Sequence, residues 1–295
     1  MRFGAREICN VVFKATTART IGDKTFPAGA PVLYFDSLKT STLEQAVTTV
    51  YAQGGRGNTR LVAWDGEKTL TFTMEDALIS ELGLAILASA KLYDANDTNI
   101  LVVHVTETVS KDALEVSKKP AAKTRDGSKV EFFVMPVDKK GDVCGAPKTV
   151  EFKGQTFTAP TFEDVKNTAD IAAYIVDYYT EVSSGAVQID IEPQNFGGNF
   201  YIEADTLFRD TVGVDHAAQF IIPNGKIQSN FTLSMASTGD PSTFTFTVDA
   251  FPGYVNGDQT KKVLCAIQVL GDEADTDRID DAAGDFDTAA EAVAG

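Results

Sequence analysis

Apolar and polar residues alternate with a period of two along much of this chain. In Lys68-Thr69-Leu70-Thr71-Phe72-Thr73-Met74 the apolar side chains fall on one side and the threonines on the other. That is the pattern of a strand with one face in a core and one in water. Thr243-Phe244-Thr245-Phe246-Thr247-Val248 repeats it, and TLTFTMEDA near residue 70 is similar to TFTFTVDAF near residue 246. Duplication and convergence of two Thr-rich strands explain that likeness equally well. Further strands are predicted over residues 32–35, 47–52, 100–105, 130–137, 150–152, 187–191, 200–204, 219–222, 227–233 and 262–270. Residues 174–179 (YIVDYY) are β-branched and aromatic and are read as a strand, with a helix as the alternative.

Turn chemistry punctuates these runs. Asp65-Gly66 is predicted to close a hairpin between RLVAW and EKTLTFT, because Asp-Gly accepts the positive φ of a type I′ turn. Asp126-Gly127 and Asn224-Gly225 are read in the same way. One helix is predicted. Ser80 caps it, and Leu82, Ala85, Ile86, Ser89 and Ala90 share the face that covers one end of a β core. The fold class is mainly β, with one or two short helices.

Composition narrows the function. The chain has 295 residues, 43% hydrophobic and 23% charged, enough to bury a core in one large or two modest domains. A net charge of -16 excludes a globally basic nucleic-acid binder. The charge is uneven. Residues 111–153 hold ten basic and seven acidic residues, whereas residues 272–295 hold nine acidic and one basic. These shifts divide the chain into a discontinuous β domain over 1–95 and 166–271, an inserted β-rich subdomain over 96–165, and an acidic C-terminal tail over 272–295. No run approaches the roughly 20 apolar residues of a membrane span. The N-terminus, with Glu7 and no continuous apolar stretch, does not read as a signal peptide. Cys9, Cys144 and Cys265 are read as small buried hydrophobes rather than a disulfide or metal framework.

No constellation points to catalysis. His104 and His216 sit in neither HxH nor HExxH, and no GxSxG occurs. The run Gly54-Gly55-Arg56-Gly57-Asn58 lacks the GK[ST] of a phosphate loop and leads into a β-like segment. Asp272-Glu273-Ala274-Asp275 has no phosphate-binding partner upstream. The aspartates from Asp275 fail the EF-hand spacing, since Ile279 stands at the fifth position. An enzyme, a cofactor and a bound metal are therefore not expected.

Two blocks carry a resemblance. VYAQGGRGNTRLVAWDGEKTLTFTMEDALISELGLAILASA (residues 50–90) and FYIEADTLFRDTVGVDHAAQFIIPNGKIQSNFTLSMASTGDPSTFTFTVDAFPG (residues 200–253) resemble the tail tube (major tail) proteins of bacteriophages. The resemblance implies a tail-tube-like β-sandwich or barrel protomer, with residues 96–165 inserted. It implies assembly with copies of itself into stacked, hexameric rings, in the virion tail and built in the host cytoplasm. Tail sheath, tape-measure and baseplate proteins are the implied partners, and viral DNA passes through without specific binding. Loop Gly54, Gly55, Arg56, Gly57 and Asn58, with Arg60, is the first interface candidate. Its glycines allow close backbone approach, and its arginines suit carboxylates on a neighbour. Arg209, Asp210 and Asp215, in a connection between strands, form the second. Trp64, before Asp65-Gly66, is read as a packing anchor. An acidic bore would repel the phosphate backbone, and the lysine-rich middle segment is assigned to the tube exterior. The alternatives are another virion component (decoration or capsid) and a β-sandwich carbohydrate-binding or adhesin module.

Overall fold

The computed structural model describes residues 2–5, 7–121, 128–233 and 243–270. The Asp126-Gly127 turn and the acidic tail 272–295 lie outside the described residues. The chain forms two compact units, Met1–Leu92 with Ile189–Gly295, and Tyr93–Gln188.

In chain order the elements begin with β1 (Phe3–Ala5), β2 (Asn10–Ala15), β3 (Arg19–Ile21), β4 (Lys24–Phe26), β5 (Pro31–Phe35), β6 (Leu38–Gly54), β7 (Thr59–Asp76) and α1 (Glu81–Leu87). Next come β8 (Lys91–Asp94), β9 (Leu101–Ser110), β10 (Phe132–Asp138), β11 (Lys148–Val150), β12 (Phe152–Lys153), β13 (Thr156–Phe157), β14 (Ile171–Val182) and β15 (Val187–Asp190). The first unit then resumes with β16 (Asn199–Asp210), β17 (Asp215–Ile227), β18 (Phe244–Ala250), β19 (Gly253–Val255), β20 (Asp258–Val263) and β21 (Ala266–Val269).

The first unit is organised by one sheet in the order β5-β2-β16-β17-β18-β7-β6, with β1 also on β16 and β21 also on β17. Alternation supplies its core. Val11 and Phe13, Phe72 and Met74, Phe200 and Ile202, and Phe246 and Val248 are all buried together. Each such side chain contributes about 1.5–3 kcal/mol by leaving water. The sheet curls on itself: Phe35 of β5 meets Phe246 of β18 with ring centroids 4.8 Å apart, although three strands separate them in the ladder. β5 and β6, at opposite ends of the sheet, are joined through residues 36–37 alone. Ser37 donates to the buried Asp76 carboxylate at 2.6 Å and fixes that corner. The chain is mainly β, as expected; no ladder joins β5 to β6 among the described residues, so of the expected sandwich or barrel a closed barrel is not found in the single chain.

Two of the predicted turns are not turns. Asp65-Gly66 lies inside β7, where residues 66 and 67 together face Thr48: the register passes from Val47↔Lys68 to Thr49↔Asp65. A Cβ on Gly66 would stand 2.7 Å from Thr48 Oγ1, which already accepts the Glu67 N–H at 2.8 Å. Asn224-Gly225 lies inside β17, where the register passes from Phe200↔Gly225 to Ile202↔Ile222. Both sites are β-bulges, which need the same small residue that a tight turn needs. The strand expected over 219–222 lies within β17, which ends at Ile227, so the strand expected over 227–233 does not form beyond its first residue. The second bulge lets β17 change partners, from β21 along residues 218–221 to β18 along residues 225–227. The strand expected over 262–270 is broken at Leu264-Cys265. α1 is capped by Ser80, whose Oγ accepts from Gly83 N at 2.9 Å. It stops at Leu87, before the expected Ala90, because Ser89 takes a φ of +52°.

The second unit has its own core of Val134, Val176, Tyr178 and their neighbours under a sheet in the order β11-β10-β14-β9. β14 covers residues 174–179 as a strand. It pairs with both β9 and β10, so the unit extends to Gln188. Tyr178 donates its hydroxyl to Glu107 at 2.8 Å, and Ser117 N–H donates to the same carboxylate at 2.8 Å. Burial works against the Glu107 charge, but these hydrogen bonds outweigh it and hold the carboxyl below its usual range.

Candidate assembly interface

β6 and β7 are 17 and 18 residues long, and only their inner ends belong to the curled sheet. β18 pairs with β7 from Asp76 to Thr71 and no further. Among the described residues, β6 has no neighbour on its other side, and residues 59–70 of β7 have none except β6. The outer part of the hairpin is therefore an arm with two unpaired edges. Twelve residues at about 3.3 Å each carry its tip about 40 Å beyond the last core pairing.

The bulge at Gly66 decides which way the arm's side chains point. Counting back from Met74, Phe72 and Leu70 in steps of two places Lys68, then Trp64 and Val62, on the core side. The extra residue in β7 reverses the sense beyond it. Trp64 then stands opposite Val50, and Val62 opposite Ala52, on the face turned away from the protein's own core. Val50 is 65% exposed and Trp64 55%. Trp64 is thus not the packing anchor expected from sequence. Leu61, at a second register shift between Ala52 and Gln53, is also exposed. This apolar stripe was missed in the sequence. Its trace there is a change of phase in β6, from Leu43 and Val47 at odd positions to Val50 and Ala52 at even ones.

The first candidate cluster forms the tip of the arm. Gly55 and Gly57 adopt φ of +77° and +92°, and Asn58 follows at +47°. Asn58 N–H closes the turn on Gly55 O at 3.1 Å, and its side-chain amide donates to Gln53 Oε1 at 3.2 Å. Gly54 ends β6. Arg60 lies across the Tyr51 ring, 4.0 Å from its centroid, so its cation is tied to the arm itself. Arg56 stands exposed at the apex.

The second cluster folds around the β16–β17 corner. Arg209 grips Asp215 in a two-pronged pair, with both N–O distances 2.6 Å. That contact holds the Asp215 carboxyl below the usual range. Asp210 accepts the N–H groups of Val214 and Val212 at 2.9 Å each, which likewise favours its charged form. His216, buried behind the corner, lies 3.4 Å from Asp210. The charges thus shape the corner, while Val212 and Val214 stand exposed at its apex. Tip and corner are separate features of the same unit.

Nothing in the described residues gathers three metal-ligating side chains. Cys9 is buried and burial pushes the Cys265 thiol up to about 11, away from nucleophilic use. No described helix is long and apolar enough to cross a membrane. No curated protein matches the chain. The family model of the YomU/Tube protein family matches residues 26–264, a span that contains both clusters.

Proposed function

The chain belongs to the YomU/Tube protein family, and from that premise we propose that it is the protomer of a bacteriophage tail tube, stacking in rings into a hollow conduit for the genome. The observation that carries this reading is the arm. An antiparallel hairpin with both edges unpaired and an apolar stripe facing away from its own core is unstable as a solitary surface. Pairing each edge with the arm of a neighbouring copy satisfies the backbone groups and gives Val50, Ala52, Val62 and Trp64 cross-strand neighbours on the same face. Arms joined edge to edge complete around a ring the closure that the single chain lacks.

Further parts of the chain take supporting roles. The tip (Gly54, Gly55, Arg56, Gly57, Asn58, Arg60) and the corner (Arg209, Asp210, Asp215) contact adjacent copies. The second unit faces outward, toward sheath or solvent, while tape-measure and baseplate proteins meet the bore and the tube end. Excess carboxylates keep the bore from holding DNA, so the polyanion slides through.

Negative-stain microscopy and sedimentation of the purified protein test this. Hollow rods or stacked rings are the expected result. Closed shells, or a protein that stays monomeric at every concentration and ionic strength, overturn it.

A further inference from the structure

The arm's tip differs in charge from the rest of the chain. Residues 45–63 contain two arginines and no carboxylate, in a protein of net charge -16. Arg60 is occupied by Tyr51, which leaves Arg56 as the cation at the apex, with no ion pair among the described residues.

A surface of opposite character lies elsewhere on the first unit. Where β16 passes from β2 to β1 as its neighbour, the register leaves Thr206 and Leu207 between Asp205↔Asn10 and Phe208↔Ala5. The chain over residues 7–9 arches across that gap, held by Thr206 Oγ1 donating to Glu7 O at 3.0 Å. A cleft of about 500 Å³ opens there, lined by Glu7, Ile8, Tyr34, Asp205, Leu207 and Leu270 among others, with no lysine or arginine among the described residues of its wall. Asp205 accepts from Gln219 at 2.7 Å, while Ile8 and Tyr34 are exposed at 44% and 60%.

We infer that this cleft is the receptor for the arm tip of a second copy of the chain. Arg56 enters between Glu7 and Asp205, and Leu61 meets Ile8 and Tyr34. The pairing joins two different patches, tip to cleft, so it propagates from copy to copy instead of closing a two-fold dimer. An arginine is suited to the task, since its fork can address two carboxylates at once. The inference rests on the tube reading and adds to it the partner surface and the polarity of the contact.

Two paired sets of variants test it. Arg56→Asp and Asp205→Arg should each raise the critical concentration for assembly at least tenfold, and the double variant should recover most of that loss. Separately, Arg56→Lys protein treated with a carbodiimide, which joins an amine to a carboxylate only where the two are already in contact, should give peptides that link residue 56 of one chain to Asp205 or Glu7 of another, and Asp205→Asn should remove the Asp205 link. The two readings fail differently. Tubes that form normally from both charge variants, with no such link, overturn the cleft and leave the tube. The link in a protein that never forms tubes keeps the contact and overturns the tube. Neither link nor tubes overturns both.

Discussion

Replacing Trp64 with serine separates folding from assembly. Trp64 is 55% exposed on a face that its own core does not touch. An indole buries up to about 250 Å², so about 140 Å² remains to be covered by a neighbour. At about 25 cal/mol per Å² that is about 3.5 kcal/mol per protomer at full coverage, and about 1.75 kcal/mol at half coverage. The critical concentration of Trp64→Ser should therefore rise between about 20-fold and about 300-fold. Stability of the single chain should change by no more than about 0.5 kcal/mol, as for other surface sites away from the core. Sedimentation across a dilution series gives the first quantity and thermal unfolding below the assembly threshold gives the second. A variant that assembles at the wild-type concentration refutes the role given to the outward stripe. One that assembles poorly because its monomer unfolds early shows that Trp64 is packed at home.

Gly66→Val should force the new side chain onto Thr48 and break the Glu67 N–H to Thr48 bond, at a cost of about 1–3 kcal/mol. Amide exchange should quicken in residues 44–70 and stay unchanged in β2 and β16; uniform protection along the arm would contradict the bulge's role. The second unit should weaken in acid. Glu107 is held below its usual range in the folded chain, so its contribution is complete above the unfolded value of about 4.3 and fades as pH falls through the folded one. Glu107→Gln should flatten the loss of melting temperature between pH 6 and pH 3 relative to the wild type, and parallel curves would refute that assignment.

The β architecture was legible because the alternation in β7, β16 and β18 records directly which face of each strand is buried. Helix α1 was legible from its Ser80 cap. The hairpin was legible in its strands but not in its turn. Asp-Gly and Asn-Gly meet the needs of a type I′ turn and of a bulge equally well, and only the cross-strand partner tells them apart. For β7 that partner is Thr48, 18 residues earlier in the chain. Misplacing the turn hid the arm, and with it the outward stripe, because one extra residue exchanges the two faces of a strand. Arg56 and its loop were found because three glycines around an arginine are conspicuous anywhere. The cleft was not, since its walls come from segments at residues 7–10, 34, 205–207, 217–219 and 270, which no local pattern connects.

β8 and β15, which lead into and out of Tyr93–Gln188, pair with each other in a two-stranded ribbon. The two ends of that unit therefore emerge about one strand spacing, some 4.8 Å, apart. A module with such closely set ends behaves like a cartridge. Another self-contained fold with neighbouring termini can be spliced into the same place without re-threading the host, which makes this position a natural mount for foreign domains.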